Sequence, residues 1–174
     1  MKKFFIIFLI LILGGFSALA VARAGWYPVA IVSPSGGDSE IIWAKTLNKA
    51  QRAVVSYYRK LGAQITPSLE KEIKRALLDK IIENMLISKK LGQAAALEQS
   101  VVIQKTIANL SQNPQIGAGA AELYGLGLED FYQLMVVPQA ERELLEKKLA
   151  EDNQKLDAWL AQEKQTASII FLVK

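Results

Sequence analysis

The chain has 174 residues, 51% of them hydrophobic and 22% charged, and it contains neither Cys nor His. That length holds one modest domain of about 150 residues beside a short terminal segment, and the missing residue types exclude Ser-His-Asp and Cys-His catalytic groups, thiol redox chemistry, zinc fingers and His-ligated metals. Three of the 21 cations, Lys2, Lys3 and Arg23, precede Gly25 and all 17 acids follow Gly37, so the domain itself is nearly neutral and lacks the cationic balance of a nucleic-acid binder.

Residues 4–22 carry no charge. At about 1.5 Å per residue they make a helix of roughly 28 Å, close to a hydrocarbon core of about 30 Å. Lys2 and Lys3 ahead of the run keep its start inside, while Trp26 and Tyr27 suit the outer interface. A cleaved signal peptide is the competing reading, with Ala18 and Ala20, or Ala22 and Ala24, as the small residues of a cleavage site. Under either reading, residues 1–24 are a membrane anchor or signal peptide. The domain 25–174 then lies on the extracytoplasmic side of the cytoplasmic membrane, or is secreted if the signal is cleaved.

Tyr27 to Val32 is a short apolar, β-branched run closed by Ser33-Pro34-Ser35-Gly36-Gly37, which predicts a buried strand and a turn. Asp38 or Ser39 then caps a predicted helix with the stripe Trp43, Leu47, Ala50, Val54, Tyr58 and Leu61, stopped by Gly62. Thr66-Pro67 restarts a helix with an N-cap, a proline at its first position and acidic Glu70 and Glu72 near its positive end. Its stripe of Leu69, Ile73, Leu77, Ile81 and Met85 runs to Gly92. A third helix is predicted over 97–110, then a loop over 111–119 and a short helix ending at Gly125. The last helix is predicted from Leu128 to Gln165, kinked at Pro138, with Glu143–Lys147 and Glu151–Lys155 pairs. Residues 167–173 form a second β-rich run, expected to pair with Val29–Val32 and to bury Ile169, Phe171 and Val173. The expected fold class is therefore mainly α: an N-terminal transmembrane helix, then a small helical bundle with a two-stranded sheet joining the domain ends.

The run from Leu78 to Ile87, and Tyr124 to Phe131 followed by Pro138, carry a resemblance. In their order and spacing they resemble the N-terminal chaperone domain of SurA-like, parvulin-type peptidyl-prolyl isomerases over most of residues 27–165. Two departures stand out. The family's strand usually leads into an Asn-Gly turn, and Ile170 stands where its isomerase domain would begin with a His. The resemblance implies a chaperone-type binding domain without its isomerase domain, and no isomerase activity.

Other patterns carry less. Gly125-Leu126-Gly127 and Gly117-Ala118-Gly119 complete no phosphate-binding motif. The carboxylates Glu70/Glu72, Glu129/Asp130 and Glu151/Asp152 do not converge at helical spacing. Tyr57-Tyr58 reads as a packed ring beside a wet one. Trp43, Tyr58, Tyr124, Phe131 and Met135 are the candidate polypeptide-binding residues, because rigid aromatics and flexible Met suit promiscuous apolar recognition. The same side chains also suit a bundle core. No catalytic residue, metal, cofactor, nucleotide or nucleic acid is expected. The expected partners are unfolded or nascent exported proteins, and the membrane through residues 4–22. Three functions follow from these patterns: a membrane-anchored extracytoplasmic chaperone-like protein, a structural adaptor that presents a helical surface to one envelope partner, and, least supported, an isomerase completed by a partner.

Overall fold

The computed structural model describes residues 25–34 and 38–172. The anchor or signal segment 1–24 and Val173 lie outside the described residues. Among the described residues no helix is long and apolar enough to cross a membrane.

The sheet corrects the expected fold class. It has three strands, not two: β1 (Pro28–Ser33) lies between β2 (Glu40–Trp43) and β3 (Ser168–Phe171), antiparallel to both. β2 occupies the start of the helix expected after Ser39. Glu40-Ile41-Ile42-Trp43 is a β-branched and aromatic run, and pairing Ile31 with Ile41 and Val32 with Glu40 satisfies a backbone that a helix N-terminus would leave unpaired. Ser33 and Ser39 share a hydroxyl hydrogen bond of 2.7 Å at the mouth of this hairpin. Pro28 has no N–H to give the ladder, and the register shifts between Pro28 and Ala30.

Strand alternation decides which side chains are buried. Ala30, Val32 and Ile42 face the core, whereas Ile41 and Ile170, both paired to Ile31, point outward and are exposed. Phe171 pairs with Ala30 but sits at the sheet edge and is 59% exposed, so the expected burial of Phe171 is corrected too.

Helix α1 (Ala44–Lys60) turns at Gly62, whose φ of 82° is a left-handed conformation that glycine adopts without strain. Thr66 then caps α2 (Pro67–Ser111), its Oγ1 accepting from the Leu69 N–H at 3.2 Å. Tyr58 and Leu61, expected on the buried stripe of α1, are exposed, and the packed face runs through Ala44, Leu47, Ala50, Ala53 and Val55. α2 does not stop at Gly92. It continues to a single non-helical residue, Ala95, and resumes to Ser111.

Beyond α2 the chain is more broken than expected. α3 (Gln115–Gly119) replaces part of the expected loop and runs into a π-helical turn, Ala120–Tyr124, ended by Gly125 at φ 63°. α4 (Leu128–Phe131) and a second π-helical turn, Tyr132–Val136, lead into α5 (Val137–Glu151). Pro138 cannot donate to the carbonyl four residues earlier, and the turn before it is the widened one. The expected continuous helix to Gln165 is also cut at Asn153, which is left-handed at φ 57°, so α6 (Leu156–Thr166) is separate. Asparagine tolerates that conformation better than other non-glycine residues.

Two clusters of buried side chains lie along α2. Val29, Val32 and Ile42 of the sheet meet Leu47, Ile82 and Leu86 in the first. Ile87 and Leu91 meet Leu144, Leu145, Leu149, Leu156 and Leu160 in the second. Trp159 borders both clusters and joins them. Each fully buried Leu, Ile or Val is worth about 1.5 to 3 kcal/mol.

Candidate functional site

The aromatic residues of α1 and of the π-helical turns form a ribbon. Tyr124 stacks flat on Tyr57, with ring centroids 5.2 Å apart and planes 6° apart. Tyr58 meets Tyr57 edge-on at 5.8 Å, Phe131 tilts against Tyr124 at 5.8 Å, and Tyr132 follows Phe131 at 6.4 Å. Offset and edge-to-face pairs of this kind add about 0.5 to 1.5 kcal/mol beyond burial. Lys49 anchors this region by an ion pair of 2.7 Å to Asp130, and Ser111 shares a hydroxyl hydrogen bond of 3.2 Å with Tyr132.

Met135 lies one helical turn after Phe131 and forms a ridge between two apolar grooves. The first groove, about 530 Å³, runs between the second half of α2 and α5, with Val102, Leu110, Phe131, Met135, Val136 and Leu144 in its lining. The second, about 650 Å³, runs between α1, the first half of α2 and the second π-helical turn. Val54, Leu77, Ile81, Met85, Leu134 and Met135 are its apolar lining.

Of the five candidate residues, Tyr58, Tyr124 and Phe131 therefore lie on one ribbon, with Tyr57 as the link, and Met135 shares the first groove with Phe131. Only Phe131 and Met135 line the grooves. Trp43 is elsewhere, on β2, edge-on to Trp26 at 6.2 Å. Sequence reasoning did not select Leu134, Met85, Val102 or Val136. The signal it lacked was tertiary: the π-helical turn ahead of Pro138 aims Leu134 and Met135 into clefts that α1 and α2 close.

Charges at the groove rims are mostly paired. Lys148 bonds Glu98, and that bond raises the Lys148 pKa above its ordinary value. At the other groove Arg142 and Lys80 both hold Glu83, at 3.5 and 3.1 Å. Burial pushes the Glu83 carboxyl up, but the ammonium groups of Lys164 and Lys80 outweigh it and hold the carboxyl below its ordinary value. Lys164 also bonds Asp79 at 2.8 Å. Burial pulls the Lys164 ammonium down, and bonds to Asp79 and Glu83 outweigh this and raise it. The grooves are thus apolar floors with largely neutralised rims. Among the described residues no group of three or more acids is arranged to hold a metal.

No family model, curated protein or solved structure matches the chain.

Proposed function

We propose that this is an extracytoplasmic chaperone-like protein that holds apolar segments of unfolded or nascent exported polypeptides in the two grooves flanking Met135. The observation that carries the reading is Met135 itself: one flexible thioether lines both grooves, so a bound segment meets an adaptable wall on either side. Paired rim charges leave little electrostatic preference among clients. The likeness of Leu78–Ile87 and Tyr124–Phe131 to SurA-like domains supports the same reading. Export rests on Lys2 and Lys3 ahead of the uncharged run 4–22. The function is binding without catalysis.

The test is aggregation. Full-length protein at several-fold excess over an unfolded, aggregating client should lower light scattering in proportion to its concentration. Unchanged scattering would sink the reading.

One observation favours the adaptor alternative. β3 is an edge strand with Ile170, Phe171 and Leu172 exposed, a template on which one specific partner's strand would pair. Affinity capture separates the two readings, since an adaptor returns one partner at fixed ratio and a chaperone returns many clients.

A further inference from the structure

We propose that the face of the domain around Gly25 docks on an anionic lipid surface. The proposal does not depend on what the grooves beside Met135 bind. Two clefts are lined here by neighbouring stretches of the chain, Gly25 and Glu70 in one, Tyr27 and Lys71 in the other. One, about 860 Å³, is lined by Gly25 and carries Lys45, Arg52, Arg59 and Lys60 against a single acid, Glu70. The other, about 830 Å³, has Tyr27, Leu47 and Leu78 as its apolar lining, with Phe171, and carries Lys71, Lys74 and Arg75, with Asp79 as its acid.

Both acids are already engaged, Glu70 by Arg59 at 3.3 Å and Asp79 by Lys164 at 2.8 Å. Among the described residues Lys45, Arg52, Lys60, Lys71, Lys74 and Arg75 have no ion pair; elsewhere Lys90, Lys105, Lys147 and Lys155 also have none, whereas Lys49, Lys80, Lys89, Arg142, Lys148 and Lys164 each have one. In a domain that is nearly neutral overall, six uncompensated cations gathered at one face make a local field.

Aromatic groups accompany the cations. Trp26 is 53% exposed, with the Lys45 ammonium 4.8 Å from its ring centroid and Trp43 edge-on to it. Phe171, at the mouth of the second cleft, is also exposed. Trp beside Lys is the pairing that suits a headgroup layer, where the ring enters the interface and the ammonium meets phosphate. A soluble polyanion would use the cations but leave Trp26 and Phe171 in water. Position along the chain agrees: Gly25 and Tyr27 line one cleft each, and only Arg23 and Ala24 separate Gly25 from the uncharged run ending at Ala22.

The chain has no Cys, so Ala63→Cys in the turn between α1 and α2 gives one labelling position beside Arg59 and Lys60. Full-length protein carrying an environment-sensitive dye there is mixed with neutral phosphatidylcholine vesicles, or with vesicles also containing anionic phosphatidylglycerol, both bearing a headgroup-level quencher. Quenching is expected to be several-fold stronger on the anionic vesicles. It should collapse as salt rises from about 0.1 M to about 1 M, which shortens the Debye length from about 10 Å to about 3 Å. Combined Lys71→Glu, Lys74→Glu and Arg75→Glu should lower the docked-to-free ratio at least tenfold, since each cation near such a surface is worth roughly fivefold. The salt series uses unaltered cations and stands even if the charge-reversed protein folds poorly. Equal quenching on the two vesicle types, or quenching indifferent to salt, overturns the proposal. So does salt-dependent binding of a single-stranded oligonucleotide with no docking on anionic vesicles.

Discussion

Gln99 donates its side-chain amide to the carboxylate of Glu141, and Ser88, on the other side of the break at Ala95, donates to the same oxygen at 3.0 Å. Glu141 is the one buried charged residue among those described, at 6% exposure, and its two donors sit on the two halves of α2. The bond network therefore fixes the angle of the break, and with it the width of the groove between the second half of α2 and α5. Gln99→Leu should cost about 1 to 3 kcal/mol, the penalty of leaving a buried acceptor short of a donor. Its urea midpoint should fall while Gln104→Leu, on the exposed side of the same helix, leaves the midpoint nearly unchanged.

Glu83 and Lys164 make stability depend on pH at both ends of the scale. The Glu83 carboxyl is held below its ordinary 4.5, so its contribution is present above that value and is lost as pH falls through the lower folded-state pKa. Lys164 is held above 10.5, so its contribution is complete below that value and is lost as pH rises through the raised one. Denaturant midpoints against pH should show a plateau with two falling limbs. Glu83→Gln should lower the plateau and flatten the acid limb, and Lys164→Met the alkaline one.

Removing β3 by truncation after Thr166 should destabilise the domain by about 1 to 2 kcal/mol, less than the roughly 1.5 to 3 kcal/mol of a fully buried side chain, because Ile169 is only half-buried where it packs against the sheet core. Ile170 and Phe171 contribute little, since both are exposed. The truncated chain also leaves the Ala30–Ser33 edge of β1 open. Its melting curve should shift down, and its tendency to aggregate should rise. An unshifted curve would make β3 dispensable.

Leu134→Asp and Met135→Asp should each weaken capture of an unfolded client by tenfold or more while lowering stability only modestly, because neither side chain is fully buried. Tyr57→Ala should behave in the opposite way. It removes the ring on which Tyr124 stacks, so the melting temperature drops before any change in client affinity is seen. Paired melting and client-binding curves check both outcomes.

Local chemistry made some of this fold legible and long-range packing hid the rest. Thr66-Pro67, Gly62 and Gly125 mark boundaries because capping and left-handed turns depend on one or two neighbouring residues. The apolar runs at Val29 and Ile169 read as strands from their β-branched content. β2 did not, because a capping-like Asp38-Ser39 precedes an amphipathic stretch, and only pairing with β1 decides in favour of strand. Asn153 was hidden for a related reason: the Leu-rich stripe continues past it, and one left-handed residue suffices to turn α6 back along α2. In the candidate site Phe131 and Met135 were legible as residue types, whereas their convergence with Leu134 depends on the π-helical turn before Pro138. Trp43 was separated from them once β2 took its place in the sheet.

The most direct test of the grooves as a polypeptide-binding site is site-specific photocrosslinking. A benzophenone amino acid replaces Met135 in the full-length protein, and in a second variant replaces Ala161 on the exposed side of α6. Irradiation with a labelled, permanently unfolded client should give a strong adduct from position 135 and little from 161. The same client in its folded form should give none from either. Equal adducts from both positions, or an adduct from 135 with the folded client as readily as with the unfolded one, would contradict the account.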